Sequence, residues 1–486
     1  MTIKPHPSVS TPPSVTEPTP STPVVRTSRS LMVLYAGIVL ALTAMNLGLH
    51  GFNGLVLMDI TIGRWILVHG HVPLHNHWTQ AMAGRPFSDT EWLFGVWVAL
   101  AYQWGGRLGV FFSMMPFLAV TALFVGWWAA RVRSWRGMVV AMVAGAELMI
   151  VSNPRPQWMS YAAFALGLWA IQQARRGRWT ALGVFLAVIP VWTNMHASVV
   201  LAPALLLNET LWGRGRYRWR MVAATLGAAG LTLCRVGGAA AGGSFISHVL
   251  SPGIVNVIQE WGSPNFHTTT GLVLLPAFLL AWAVLLPWAW RTKAWASVMW
   301  LLLGPLAAFW AVRFAPYMVL GVVAVLADSP FGTTSFTVAR PYRFLAAGAV
   351  VMLNVLCWSS VAKPGFFAPR YPVTAMTYLQ RHHAHGVVTW GQWGDAANFV
   401  GVQPWVNSQA QLWARAAWWM PYVQAHDGSV ATLVPWVRRW DPHAQWILWP
   451  VSGYGTVNNG TVVPGWQSVY RERTNQGVVE VWRKNH

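Results

Sequence analysis

The sequence predicts an all-α polytopic membrane protein of about 11 transmembrane helices, followed by a small C-terminal α/β domain. Three observations carry that expectation. Hydrophobic residues make up 55% of the 486-residue chain and charged ones only 9%, with a mean hydropathy of +0.41, far more apolar chain than one water-soluble core needs. Apolar runs of spanning length recur from Leu31 to Ala362. From residue 363 the runs shorten, and Gly, Pro, Asp and His return.

Residues 1–30 are rich in Pro, Ser and Thr with almost nothing apolar to bury, and are expected to form a disordered cytoplasmic tail. A cleavable leader would open on basic and apolar regions, so Leu31 onward reads as a retained first span. Crossing the hydrocarbon takes about 20 apolar residues. Helices are therefore expected at 31–56, 108–130, 137–152, 157–174, 180–195, 197–212, 221–235, 269–290, 295–312, 314–328 and 344–362.

Basic clusters set the orientation, because short cytoplasmic loops carry excess Lys and Arg. Arg131/Arg133/Arg136, Arg175/Arg176/Arg178, Arg214/Arg216/Arg218/Arg220, Arg291/Lys293 and Arg340/Arg343 all fall on one side under this scheme. The other side receives the 57–107 loop, the 153–157 turn, Asn194 and His196, the 236–268 loop, Arg313 and the tail from 363. The parity requires Glu91–Trp104 not to cross: it reaches only about 21 Å against a core of ~30 Å. Its Trp92, Trp97, Tyr102 and Trp104 suit a helix lying on the outer surface. The expected location is thus the plasma membrane, with the N-terminus cytoplasmic and residues 363–486 extracytoplasmic.

The formal charge of +20 does not point to nucleic acid, because the Arg residues are scattered between apolar runs rather than gathered on one polar face. The expected macroscopic partner is the lipid bilayer. Cys234 and Cys357 are the two cysteines, both in apolar runs, so no disulfide framework or Cys-based metal site is expected. His69, His71, His75 and His77 lie close together, but no acid or Cys completes a ligand spacing.

Chemistry is concentrated where the chain is otherwise poor in acid. Asp59, Asp89 and Glu91 are three of 13 carboxylates, and all fall in the first polar loop. Carboxylates can act as general bases, and Arg side chains bind anions better than Lys because of their planar, multi-donor shape. Arg64, Arg155, Arg313 and His196 sit on the same predicted side, with Gln157, Asn194 and Glu260 beside them. Each has a plainer reading: Asp59 as a helix-end polar group, Ser88 or Asp89 as an N-cap with Glu91 in the first turn, and Asn194 as a hydrogen bond between helices. Glu147 lies near the end of a short span, where it is either close to the surface, protonated or functional.

The loop reads Gly63-Arg64-Trp65-Ile66-Leu67-Val68-His69-Gly70, then Val72-Pro73, then Gly84-Arg85-Pro86-Phe87-Ser88-Asp89-Thr90-Glu91-Trp92-Leu93. It resembles a family of largely uncharacterised prokaryotic multi-pass membrane proteins, itself similar to the C-type (GT-C) integral-membrane glycosyltransferases. Arg155-Pro156-Gln157-Trp158, Trp192-Thr193-Asn194-Met195-His196, Glu260-Trp261-Gly262-Ser263-Pro264, Tyr371-Pro372-Val373 and Trp393-Gly394-Asp395 resemble it in the same order. The chain departs from the family at Leu57-Met58-Asp59-Ile60, at Asn76 and at Asn407-Ser408-Gln409, where an acidic Trp-Trp-His-Leu run, an Asp and an Asp-Gly-Arg are usual.

The resemblance implies a GT-C-like fold over 31–362 and an enzyme that takes a sugar from a polyprenyl-phosphate carrier on the outer face. It further implies a first-loop carboxylate as general base among Asp59, Asp89 and Glu91, and cations holding the phosphate. The motifs specify no cofactor, and a divalent metal is compatible with them. The competing expectation is a non-catalytic scaffold that binds glycan or lipid carrier in polysaccharide export. A transporter is disfavoured by the absence of a detectable inverted repeat and by few acids within spans.

In residues 363–486, helices are expected at 373–382 and 411–424 and strands at 387–390, 445–449 and 478–482, a small α/β domain. Trp390, Trp393, Trp405, Trp413, Trp418 and Trp419 are read chiefly as core or bilayer contacts, with sugar stacking as the alternative.

Overall fold

The computed structural model describes residues 33–42, 54–87, 89–132, 144, 155–213, 217–238, 259–330, 347–356, 371–391, 393–413, 416–426, 430–453, 463–474 and 476–485. The apolar runs become helices: α1 (Val33–Leu42), α2 (Gly54–His69), α3 (Trp92–Val132), α4 (Gln157–Arg175), α5 (Thr180–Met195), α6 (Leu201–Trp212) and α7 (Arg218–Leu231). Then follow α8, made of Thr269–Leu279, a π-helical stretch at Leu280–Leu285 and Leu286–Arg291, and α9 (Trp295–Trp310), α10 (Ala315–Asp328) and α11 (Ala347–Leu356). Single 3₁₀ turns at Ala197–Val200, Gln259–Trp261 and Val312–Phe314 cap the connections. The helix expected at 137–152, with Glu147, and parts of those at 31–56 and 344–362 lie outside the described residues, as do the tail 1–30 and Ser88.

One expectation is corrected. Helix α2 continues to His69, so Asp59 lies within a helix rather than in a loop. Val56, Leu57, Met58, Ile60, Ile62 and Ile66 are buried along it, apolar spacing that holds the chain helical past the expected span end. The polar loop shrinks to 70–91. The helix expected over Glu91–Trp104 as distinct from the following span is present as a separate arm: α3 starts at Trp92 and breaks at Gly105 and Gly106, the latter at φ 56°, before the expected span resumes. A Cβ on Gly109 would come within 2.0 Å of the Ala101 carbonyl, so the two arms fold back tightly on each other.

Among the described residues, two helical stretches, Trp92–Val132 with its Gly105–Gly106 break and Leu274–Arg291, are long and apolar enough to cross a membrane, and five further apolar helices have 10–17 residues. Leu272, Leu279, Leu303, Leu306, Val351 and Leu356 point outward and are all more than half exposed. An apolar surface of that extent belongs against lipid. Helix α4 is instead the buried axis of the bundle, with Trp158, Tyr161, Phe164, Ala165 and Ala170 within it. Its 19 residues span about 28 Å.

At the Arg175 end of α4, charges pair internally. Arg175 donates through Nε to Glu209 Oε1 at 2.9 Å and through Nη2 to Oε2, while Arg131, Arg175 and Arg176 approach Asp328 at 3.6, 3.8 and 3.8 Å. Clusters from separate basic loops thus meet at one end. Arg155 marks the other.

That other end carries the C-terminal sheet. Its elements are α12 (Val373–Arg381), β1 (His385–Thr389), α13 (Trp393–Phe399), β2 (Gln403–Pro404), α14 (Ala410–Trp413), α15 (Trp419–His426), α16 (Val430–Trp440), β3 (Trp446–Gly453), β4 (Trp466–Thr474) and β5 (Gly477–Lys484). The strand order is β2-β1-β3-β5-β4, parallel from β2 to β3 and antiparallel beyond. Ile447, Leu448 and Trp449 on central β3 are fully buried. Trp393, Trp405, Trp413 and Trp419 are buried as well, as the core reading of the tryptophans expects, and the helix expected at 411–424 is broken into α14 and α15.

The polar loop fastens bundle to sheet. Gln80 and Ala81 donate backbone N–H groups to the Pro404 and Trp405 carbonyls at 3.1 Å each, extending the β2 edge. Asn398 Nδ2 donates to the Trp78 carbonyl at 2.8 Å, and Asn407 Nδ2 reaches Met58 Sδ at 3.3 Å. Asn76 closes the loop on itself, donating to Thr79 Oγ1 at 2.6 Å and to the Met82 carbonyl at 3.0 Å.

Candidate active site

Helix crossing brings the first two acids together. A Cβ on Gly63 would lie 2.0 Å from the Gly95 carbonyl oxygen, so α2 and α3 meet backbone to backbone. Asp59 precedes Gly63 by four residues and Glu91 precedes Gly95 by four, one helical turn each, so both acids stand above the same crossing. Asp89 shapes the entry to α3: its Oδ1 accepts the Glu91 N–H at 2.8 Å, an Asx-type cap. The electrostatic neighbours of Asp59 are Glu91, Asp89, Asp395 and Arg155.

Burial pushes Asp89 up to about 6, against the pull of the Glu91 N–H and Arg235. Burial and the nearby Asp89 charge raise Glu91 well above the ordinary carboxylate range, with Arg313 and Arg155 opposing. Both thus resist full ionisation near neutral pH, as clustered, desolvated carboxylates should.

His196 faces Glu91 with Nε2 at 3.5 Å from Oε1. That distance is within ion-pair reach, but burial, reinforced by Arg313 and Arg155, depresses His196 to about 3, so the ring is neutral. The Ser198 backbone N–H can only donate, and it points to Nδ1 at 3.3 Å. The proton of the neutral ring therefore sits on Nε2, directed at Glu91. Ser160 and Ser198 hydroxyls lie 2.9 and 2.7 Å from Nδ1, and Trp192 Nε1 donates to Ser160 Oγ at 3.0 Å, which fixes the ring in place.

Arg155 enters just before α4, its side chain 6% exposed, and its Nη1 donates to Glu260 Oε1. Burial raises Glu260, but Arg155 and Arg313 outweigh it and hold the acid below its ordinary range. Arg313 lies on the 3₁₀ turn before α10, its guanidinium 4.2 Å over the Trp261 ring. The Val312 N–H donates to the Gly262 carbonyl at 3.0 Å, tying the Glu260 turn to the Arg313 turn.

Arg155 Nε, Gln157 Oε1 and the Tyr161 hydroxyl are buried without a hydrogen-bond partner, and all belong to the first turns of α4. Buried polar atoms are rarely left so. Pockets at the opposite end flank the Arg175–Glu209 pair, which is joined by two hydrogen bonds, although Arg131 Nη1 and Trp300 Nε1 there are also buried without a partner.

Two of the residues singled out in the sequence are placed otherwise. Arg64 turns away, its guanidinium 4.7 Å from the Tyr102 ring and 4.9 Å from Phe399. Five residues beyond Asp59, it stands about 140° round the helix. Asn194 is a strut: it accepts from Trp92 Nε1 at 2.8 Å and donates to the Pro190 and Cys234 carbonyls at 2.9 and 2.7 Å.

Two residues outside that set join the cluster. Arg235 is an electrostatic neighbour of Asp89 and Glu91. Asp395, fully buried on α13, accepts from the Ser408 N–H and hydroxyl at 3.0 and 2.9 Å through Oδ1, while Oδ2 has no partner. Burial pushes Asp395 up to about 6, opposed by Ser408 and Arg155. Arg235 meets the criterion that singled out Arg155, an isolated Arg on the Arg-poor side. Asp395 was visible in its Trp-Gly-Asp motif.

Among the described residues, no three His, Cys, Asp or Glu side chains form a set able to hold a metal ion. Asp59, Asp89 and Glu91 share their electrostatic surroundings with Arg155, Arg235 and Arg313 instead. The histidines near residue 70 stack on Trp65, with His69 and His77 ring centroids at 4.0 and 5.3 Å.

The fold is similar to that of the Archaeoglobus fulgidus oligosaccharyltransferase in its apo form, with a TM-score of 0.56, 12% sequence identity, and coverage of 87% of this chain and 69% of that one. No protein-family model matches the sequence, nor does any curated protein.

Proposed function

We propose that this protein is a membrane glycosyltransferase that moves a sugar from a polyprenyl-phosphate carrier to an envelope acceptor on the extracytoplasmic face. The observation that carries this reading is the clustering of Glu91 with Arg155 and Arg313, and of Asp59 with Arg155, at the sheet-covered end of a bundle whose fold resembles an oligosaccharyltransferase. The apolar outer surface supports a lipid-borne donor entering from the bilayer.

In the proposed reaction the acceptor hydroxyl lies against Glu91. A carboxylate raised toward neutral pH is a stronger base than an ordinary one and takes the hydroxyl proton as the acceptor oxygen bonds to the sugar's anomeric carbon. The bond from that carbon to the phosphate oxygen breaks, and the polyprenyl phosphate leaves with the electron pair. Its added negative charge falls to Arg155 and Arg313, donors that strengthen as charge develops. Neutral His196 orients Glu91 through its Nε2–H, Asp89 positions the Glu91 backbone, and Asp59 supplies a second carboxylate for the acceptor. Gln157 and Tyr161 offer unanswered polar atoms to sugar hydroxyls.

The test is glycan and glycolipid profiling of a deletion strain. Loss of one sugar modification together with accumulation of a polyprenyl-linked sugar is expected. Unchanged glycans with a defect confined to polysaccharide export would replace the enzyme with the scaffold reading.

A further inference from the structure

We propose that Glu260 is a displaceable internal counter-ion: it occupies the phosphate position on Arg155 and Arg313 in the unliganded protein and is pushed aside when a phosphate group arrives. The inference rests on the phosphate-binding role of these arginines proposed above and deepens it.

The protein contains its own comparison. Arg175 and Glu209 form a permanent pair: Nε and Nη2 each donate to a separate carboxylate oxygen, and the Glu209 side chain is 7% exposed. Such fork-to-fork geometry is what Arg adopts when a carboxylate is its lasting partner. Arg155 and Glu260 are joined differently. Only Nη1 donates, to Oε1, and the buried Nε–H has no acceptor. Exposure is also unequal, at 6% for the Arg155 side chain and 41% for Glu260.

The cation is thus part of the wall and the anion reaches it from the open side. Water can solvate Glu260 once it swings out, whereas Arg155 has nowhere to go. A tetrahedral phosphate can accept from Nε and Nη together, which one carboxylate oxygen does not. The backbone stays in place, because the Val312 N–H holds the Gly262 carbonyl at 3.0 Å and Arg313 covers Trp261 at 4.2 Å. Displacement therefore involves one side chain. In the unliganded protein Glu260 spares the buried Arg155 from standing uncompensated, and Arg155 and Arg313 hold its carboxyl below the ordinary range against the opposing effect of burial.

The experiment is a titration of the full-length protein in nanodiscs with farnesyl phosphate at neutral pH, comparing wild type, Glu260→Gln and Arg155→Gln. Glu260→Gln removes the competing charge at constant shape, and binding is expected to tighten on the order of tenfold, while Arg155→Gln weakens it by at least about that factor. Glu260→Asp keeps the charge on a shorter arm, which gives a second variant should Glu260→Gln not fold; its affinity is expected between the two. Weaker binding in Arg155→Gln with no tightening in either Glu260 variant overturns the counter-ion and leaves the phosphate site standing. Unchanged binding in Arg155→Gln overturns the phosphate site itself.

Discussion

Asp89 acts on Glu91 in two separable ways. Its Oδ1 holds the Glu91 N–H at 2.8 Å, and its charge helps lift Glu91 above the ordinary carboxylate range. Asp89→Asn retains a capping oxygen but removes the charge. As the proposed base, Glu91 must be ionised, so transfer falls as pH drops through its raised pKa. Taking away a negative neighbour lowers that pKa, and the acidic limb of the transfer rate should move to lower pH, by roughly one pH unit. A pH–rate profile of purified variant and wild type checks this; a limb that stays put or moves up contradicts it. At this scale the sequence was most informative where residues are scarce. Arg155, Arg313, Glu260 and His196 stood out as isolated polar groups among apolar runs, and the structure gathers them. Arg64 met the same test, yet five residues of helix carry it to another face. Asp395 and Arg235 carried local signals, the Trp-Gly-Asp motif and an isolated Arg, but their place beside Asp59 and Asp89 comes from long-range folding of α13 against α2 and of the α7 end toward Asp89.

Between elements, the contact that matters most is the crossing of α2 and α3. Gly63 and Gly95 leave no room for side chains, and a Cβ on Gly63 would strike backbone rather than a movable side chain. Gly63→Val should therefore push the helices apart and destabilise the protein by about 1–3 kcal/mol, seen as a lower melting temperature in detergent, together with loss of transfer. A melt and activity equal to wild type would show that the crossing does not position Asp59 and Glu91. Helices at 157–175, 180–195 and 315–328 were legible because hydropathy runs end at clear polar breaks. Helix α2 was not, since its polar residues arrive before its packing ends. Strand β4 was missed for another reason: it is an edge strand reading Trp-Gln-Ser-Val-Tyr-Arg-Glu-Arg-Thr, with one buried position, Trp466. Edge strands carry charge to discourage further pairing, and that charge hides them from a pattern based on apolar runs.

Across the whole molecule, α4 separates two kinds of electrostatics. At its Arg175 end, Arg175 pairs bidentately with Glu209 and Arg131, Arg175 and Arg176 share Asp328, with Arg131 Nη1 left without a hydrogen-bond partner. At its Arg155 end, acids crowd together, arginines are incompletely paired, and the sheet closes over them. The first arrangement stabilises; the second stores unsatisfied polar groups, as a binding and reaction site requires. The division into an apolar bundle and a C-terminal α/β part was evident from composition alone. How the two are joined, through Gln80 and Ala81 on the β2 edge, was not, because backbone pairing leaves no mark on residue type.

The central claim is that Glu91 and Asp59, the carboxylates above the α2–α3 crossing, perform the proposed transfer. Its most direct test is sugar transfer in membranes of the deletion strain carrying Glu91→Gln or Asp59→Asn, with protein abundance and melting temperature measured alongside. Both variants are expected to fold at wild-type levels and to lose transfer while the polyprenyl-linked sugar accumulates; full transfer in both would contradict the account.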